Sequence, residues 1–306
     1  LLFIAFFAYD ASMKTHDARQ EPTTLRVKLA LCVTIVLWAS AFVGIRAALH
    51  GGYHPQSLAL LRYIVGSLVT VPFYFKLPTR TAIAAKDLPA LLFLGLLGFT
   101  FYNLCLNAGE ITVSAGISAF MVGLVPLISL IIAFVFLKER LKRAAFMGVA
   151  ISLVGLLSMA MAEHHAHANV RGIVLLFGAA MSMALYSTLQ KPVLKRIHGL
   201  QFVCLAMWLG TLPLLCFLPI TWHDVSHVPL SATLWVVYLG IFPGVVSYAL
   251  WSYVLMHLPA CKTVMAMYAM PIVATFLGWV LLGELPPVMA LVGGVLAVLG
   301  AFLARR

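Results

Sequence analysis

Two amides four residues apart, Asn103 and Asn107, interrupt a stretch of chain that is otherwise almost wholly apolar. On a helix that spacing puts both on one face, and Phe99 and Tyr102 stand beside them. Similar side chains recur in other apolar runs: Trp38 and Ser40; Ser182, Tyr186, Ser187 and Gln190; Tyr248, Trp251 and Ser252; Met265 and Tyr268. These groups hydrogen-bond and stack on a ligand, and none is a strong nucleophile by itself. Amides and ring donors are costly when turned toward hydrocarbon, so these faces are expected to converge on an aromatic, mildly polar cavity. Cations inside the runs are few. Arg62 and Lys262 lie two turns or less from run ends and are candidate contacts for an anionic group such as a carboxylate, whereas Arg46 and Lys191 are placed to snorkel out.

Bond-breaking chemistry lacks its usual parts. There is no GxSxG elbow and no HExxH helix, so the chain does not read as an enzyme, and no cofactor is implied. Cys32, Cys105, Cys204, Cys216 and Cys261 show no CxxC spacing, which argues against a zinc site or a disulfide framework. The Glu163-His164-His165-Ala166-His167 run reads as a solvated loop rather than a metal site. No filter-like sequence suggests a channel. Glu110, Glu139 and Glu284 fall at the ends of runs, and no Asp or Glu falls at the centre of one, which argues for facilitated diffusion or for a coupling route without a central carboxylate.

The elements that must carry these side chains follow from composition. Of 306 residues, 63% are apolar and 9% charged, against about 25% charged in a soluble protein. At about 20 residues per span, the polar breaks divide the chain into ten helices, approximately Leu29–Leu49, Gln56–Phe75, Leu88–Ala108, Val113–Leu137, Ala144–Met161, Arg171–Lys191, Gln201–Leu218, Leu230–Met256, Ala260–Leu282 and Pro287–Leu303. The fold class is therefore an all-α integral membrane protein.

The net charge of +11 comes from 20 Lys and Arg against 9 Asp and Glu. It is not a nucleic-acid patch. Lys14, Arg19, Arg26 and Lys28 precede the first helix, and Lys76, Arg80, Lys86, Lys138, Arg140, Lys142, Arg143, Lys191, Lys195 and Arg196 fall in the second, fourth and sixth connections, while the odd ones are nearly bare and the eighth is uninformative. By the positive-inside rule both termini are cytoplasmic. Residues 1–27 read as a cytoplasmic tail, in which 1–12 resemble an extension or remnant ahead of a more ordinary start at Met13.

Sliding the chain by 145 residues aligns Arg46 with Lys191, Gly95 with Gly240, Ala115 with Ala260, Pro126 with Pro271, Glu139 with Glu284, Gly148 with Gly293 and Gly155 with Gly300. Two units of five helices follow, 28–162 and 170–306. Because five is odd, the second enters the membrane from the opposite side, giving an inverted repeat of the kind transporters use. Pro126 and Pro271, near the centres of equivalent helices, are candidate hinges. Gly148 and Gly155, like Gly293 and Gly300, sit seven apart on one face and suit close helix packing.

Several motifs resemble the EamA family of the drug/metabolite transporter superfamily. They are Leu37-Trp38-Ala39-Ser40-Ala41-Phe42, Leu61-Arg62-Tyr63, Leu94-Gly95-Leu96-Leu97-Gly98, Ala115-Gly116, Pro126 and Lys138-Glu139-Arg140-Leu141, with Gly148, Gly283-Glu284 and Gly293. Leu285-Pro286-Pro287 after the second Gly-Glu departs from the pattern. The resemblance implies a ten-helix carrier of the inner membrane that exports a small metabolite, most plausibly an amino acid or related zwitterion, by alternating access. The alternative is an exchanger of anionic sugar phosphates or nucleotide sugars. Its partners would be that substrate and the lipid bilayer, with the chain acting as a monomer or homodimer. The expected substrate-binding set is Trp38, Tyr102, Asn103, Asn107, Tyr186, Gln190, Tyr248, Trp251, Ser252 and Tyr268.

Overall fold

A computed structural model describes residues 24–77, 80–112, 118, 121–137, 143–161 and 170–282, with 292–293, 295–296, 299–300 and 303. Among the described residues every regular element is helical. Helices satisfy their own backbone amides, which is what a chain surrounded by hydrocarbon requires. The helices are α1 (Thr24–His50), α2 (Pro55–Phe75), α3 (Ala85–Thr112), α4 (Val125–Leu137) and α5 (Arg143–Met161), then α6 (Val170–Leu194), α7 (Gly199–His227), α8 (Leu230–His257) and α9 (260–282). Six of them, α1, α2, α3, α6, α7 and α8, are long and apolar enough to cross a membrane.

Apolar side chains fill the core and also cover much of the outer surface, where a protein in water would be polar. Leu68, Phe93, Phe101, Val174 and Phe276 are exposed, while Arg62, Asn103, Asn107, Gln190 and Ser252 are buried. Lipid is as apolar as leucine, so exposed leucine costs nothing there. Polar groups are driven inward to find partners.

Helices α2 and α7 pair antiparallel at the centre. His54 at the start of α2 meets Asp224 near the end of α7 (Nδ1 to carboxylate 2.9 Å), the hydroxyls of Ser67 and Thr211 are 3.2 Å apart, and Trp208 Nε1 donates to Thr70 Oγ1 at 2.9 Å. Beyond the far end of α2, the Thr81 N–H donates to Gln201 Oε1 (3.0 Å) and Gln201 Nε2 donates back to Thr81 O (2.8 Å).

Helices α3 and α8 each contain a π-helical segment, Leu96–Phe101 in one and Gly240–Val246 in the other. Gly98 and Pro243, which lie 145 residues apart, sit within them. Each widened turn leaves carbonyls without an intrahelical partner. In α3 these are taken up from outside: Ser182 Oγ donates to Leu97 O (2.8 Å) and the Tyr248 hydroxyl to Gly98 O (3.1 Å). Close crossings need glycine beside these turns. A Cβ on Gly240 would lie 2.6 Å from Arg62 O of α2, and one on Gly95 would collide with Ala206 O of α7.

Several boundaries differ from expectation. Helix α1 starts at Thr24, so the last residues of the expected tail are helical. Helix α6 runs through Pro192 to Leu194. Helix α7 continues past Leu218 to His227, carried by a 3-10 stretch at Leu212–Phe217. Its last turn is held because Ser226 and His227 bond back to carbonyls one turn earlier and Asp224 is anchored to α2. Pro126 and Pro271 do not bend the middle of a regular helix. Each is the second residue of its element, Val125–Leu137 and Met270–Leu282, where a missing N–H does no harm. Before Pro126 lies a turn at Gly123 and Leu124, and before Pro271 a 3-10 stretch, Met265–Ala269. Most of the expected tenth helix lies outside the described residues, as does the His164–His167 run; Gly300 nevertheless packs onto Gly148 and Ser152 of α5.

Candidate functional site

The polar faces converge where α1, α2, α3, α6, α8 and α9 meet. A cavity there is lined by Trp38, Phe42 and Ile45 of α1, Arg62 of α2, Tyr102 and Leu106 of α3, Met183 of α6, Tyr248 of α8, and Met267 and Met270 of α9. The space open to the centre of a water-sized sphere is about 20 Å³, enough for one water or little more. An organic ligand enters only if the helices separate. Both ends of the bundle are tied in this conformation, by His54 with Asp224 at one and by Thr81 with Gln201 and Asp87 with Arg196 (2.7 Å) at the other.

Arg62 is the single charged residue among those lining the cavity, and it is 3% exposed. Its Nη1 donates to Asn103 Oδ1 (3.1 Å), the Asn103 amide donates to the Tyr63 hydroxyl (2.6 Å), and the guanidinium carbon lies 5.4 Å from the Tyr63 ring centre. Its Nε is buried without a hydrogen-bond partner. A guanidinium has five donors in a fixed fork, and here part of that fork is unused. Aromatic rings fill the surroundings: Trp38 lies 5.4 Å from Tyr248 and 5.0 Å from Trp251, and Phe99 lies 4.8 Å from Tyr248 and 5.7 Å from Tyr186.

The expected residues separate into three groups. Trp38, Tyr102, Tyr248 and Arg62 line the cavity together. Asn103, Tyr186 and Trp251 are fully buried immediately behind that wall; none faces outward, but they support the lining rather than form it. Asn107 and Tyr268, beside the lining residues Leu106 and Met267, and Gln190 and Ser252, one turn beyond Tyr186 and Tyr248, are buried without lining the cavity. The Asn107 amide donates to Pro55 O (3.1 Å) and Ser252 Oγ donates to Gln190 Oε1 (3.0 Å). Asn107 Oδ1, Gln190 Nε2, the Trp251 indole nitrogen and the Tyr268 hydroxyl have no hydrogen-bond partner in this conformation. Lys262 belongs to α9, but its side chain is outside the described residues.

Sequence reasoning missed Tyr63, the three methionines Met183, Met267 and Met270, and the burial of Glu110 and Asp224. Tyr63 could have been found from its place next to Arg62, since a phenol beside a buried cation stabilises it. The methionines carry no such signal, because thioethers read as ordinary apolar filler.

Comparison with known proteins agrees with this architecture. Residues 26–161 and 170–306 each match the model of the EamA-like transporter family. An uncharacterized transporter, YdfC, of Bacillus subtilis is 37% identical over 277 residues, covering 90% of each chain. A probable terminal-alkyne amino-acid exporter of Streptantibioticus cattleyicolor is also 37% identical, covering 90% of this chain and 92% of its own. A probable amino-acid metabolite efflux pump of Salmonella typhimurium is 26% identical over 90% of this chain and 93% of its own. A solved crystal structure superposes with a TM-score of 0.72 at 20% identity, covering 91% of this chain and 96% of that one, which speaks to fold alone. With both halves matched and helices that suit a bilayer, the chain is a multi-pass membrane transporter and belongs to the EamA-like transporter family.

Proposed function

We propose that the protein exports an amino acid, or a related zwitterion with an apolar side chain, by alternating access. The observation that carries this reading is Arg62, a buried cation with an unused donor in a cavity otherwise walled by aromatic rings and methionines. Such a site suits a ligand with one carboxylate and an apolar remainder. The guanidinium would take the carboxylate, held in aim by Asn103 and Tyr63, while Trp38, Tyr102, Tyr248 and the thioethers would take the side chain. The names of the Streptantibioticus and Salmonella relatives point to the same substrate class. Sugar phosphates carry at least two negative charges and would call for a cluster of cations, whereas Arg62 is alone among the lining residues.

The carrier is read as ten helices in two inverted repeats in the inner membrane, with both termini cytoplasmic. Three pairs of features support the inversion: the two π segments, the two elements Val125–Leu137 and Met270–Leu282, and the antiparallel pairing of α2 with α7. Pro126 and Pro271 would act as hinges where those elements restart. The cavity is built from one chain, so a monomer and a homodimer would work alike. Counterflow in proteoliposomes tests the function, with labelled leucine, phenylalanine and methionine set against labelled sugar phosphates. Saturable exchange of an amino acid is expected, weakened in Arg62→Gln. Saturable exchange of sugar phosphates alone would overturn the reading.

A further inference from the structure

Glu110 is the carboxylate that the fold leaves unmatched. Of the three acidic residues among the described ones, Asp224 is bound by His54 and Asp87 by Arg196. Both carboxylate oxygens of Glu110 are out of contact with solvent and neither has a hydrogen-bond partner. Its position is not incidental. Tyr102, Leu106 and Glu110 follow one another at i, i+4 and i+8 on α3, and the first two line the cavity. Glu110 is thus the next residue on the same stripe, toward the end closed by His54 and Asp224.

The charged and titratable groups around it are Arg46 of α1, Arg62 of α2 and Tyr102 of its own helix, all near enough to interact with it electrostatically. From α6, Gly172 and Leu176 press on Gly109, and Arg171 on that turn is exposed. From the start of α2, Pro55 O holds the Asn107 amide, and the neighbouring His54 is bonded to Asp224. An ionised carboxylate with neither water nor a donor is among the most costly groups to bury, and a neutral carboxyl is far less so. The charge state of Glu110 therefore depends on what each conformation brings to it.

We infer that Glu110 is a cation site of the carrier, holding a proton when the cavity is empty and releasing that proton to water when the ammonium group of a bound substrate takes its place. This rests on the amino-acid reading above. The exchange balances simply: the O–H proton of the carboxyl leaves to water, the carboxylate receives the ammonium, and the substrate carboxylate lies on Arg62. Because proton and ammonium compete for one carboxylate, they would cross in opposite directions, making the protein a proton antiporter rather than a facilitator.

Two measurements on the full-length protein in proteoliposomes test this. In the first, labelled leucine is followed by counterflow without a gradient and by uptake against its own gradient under an imposed pH difference. The wild type is expected to do both. Glu110→Gln is expected to weaken leucine exchange on the order of tenfold and to show no response to the pH difference. A Glu110→Gln protein still driven by the gradient, or a wild type that exchanges leucine and ignores the gradient, would overturn the inference while leaving the amino-acid reading intact.

The second measurement is infrared difference spectroscopy between about pH 5 and about pH 9, with no substrate. The expected result is a protonated-carboxyl band in the wild type that is missing from Glu110→Gln. This decides the proton site even if no amino acid is exchanged or the variant transports nothing, and absence of a Glu110-dependent band overturns the inference.

Discussion

Cutting the tie between His54 and Asp224 should open one end of the transporter and leave the other closed. The Asp224 carboxylate is 3% exposed and accepts two kinds of hydrogen bond from His54, from the backbone N–H at 3.0 Å and from Nδ1 at 2.9 Å. The imidazole is 55% exposed, so its contact is discounted to about 0.5 kcal/mol, as for a solvent-screened pair. The backbone N–H to a buried carboxylate keeps about 1.5 kcal/mol. Together about 2 kcal/mol favours closure at this end, and Asp224→Ala should raise the population open there about thirtyfold. Thr233 bonds Tyr53 nearby (2.8 Å), so some closure remains.

The assay is one-sided labelling. Ala41 lines the cavity, and an Ala41→Cys protein whose native cysteines are changed to serine can be exposed to a membrane-impermeant maleimide on either face. From the face where α2 begins, Asp224→Ala should accelerate labelling about thirtyfold; from the opposite face it should not. Gln201→Ala should show the reverse preference, because Gln201 ties the other end to Thr81. Unchanged rates, or acceleration from the opposite face in Asp224→Ala, would refute the assignment of these contacts as end closures.

Three further outcomes follow from the cavity wall. Arg62→Gln removes a charge-assisted contact of about 1.5–3 kcal/mol and should raise the half-saturating amino-acid concentration about 10- to 100-fold in counterflow, with a smaller effect on an ester that lacks the carboxylate. Asn103→Asp keeps the volume but places an anion against Nη1 of Arg62 and the Tyr63 hydroxyl; binding of the carboxylate should fall by a similar factor, with little loss of thermal stability in detergent. Gly98→Ala would put a Cβ 2.5 Å from the Tyr186 ring, costing about 1–3 kcal/mol through forced repacking; thermal unfolding should show the loss, and pairing it with Tyr186→Ala should recover part of it.

Periodicity and charge carried most of the fold because lipid imposes them. Spans must be long and apolar, and cations collect on one side, so the order of helices from α1 to α9 could be read before any coordinates. The depths of α3 and α7 could not. A π segment at Leu96–Phe101 depends on Ser182 and Tyr248, brought from the other half of the chain to receive its carbonyls, and local sequence holds no sign of that rescue beyond Gly98 itself. The same limitation affected Asp224. Asp224 lies between the expected helices Gln201–Leu218 and Leu230–Met256, and only its pairing with His54, 170 residues away, explains why it is buried inside a helix end. For the site, helical spacing grouped Trp38, Tyr102 and Tyr248 on inward faces, and these three line the cavity together with Arg62, since residues on one inward face are neighbours. It could not separate lining from support, because Asn103 and Tyr102 differ by one position and about 100° on the helix.

The proposed alternating access requires that opening one end not demand opening the other, and contacts placed at separate ends would allow this. His54 with Asp224 and Thr81 with Gln201 join the same two helices, α2 and α7, at opposite ends. Rocking α2 against α7 about their middle, where Ser67 meets Thr211, would break one of these contacts while keeping the other. A rigid α3 or α8 would resist that motion, since each crosses the rocking pair at a glycine, Gly95 against Ala206 and Gly240 against Arg62. The π segments begin at or beside those two crossings, where a backbone turn is already widened and its carbonyls already bond to side chains that can rotate. Arg62 shares its turn with the Gly240 crossing, so movement of α8 over α2 would displace its guanidinium directly. Substrate binding at Arg62, as proposed, would then be coupled to helix movement through one residue's backbone and side chain, with no longer chain of contacts needed.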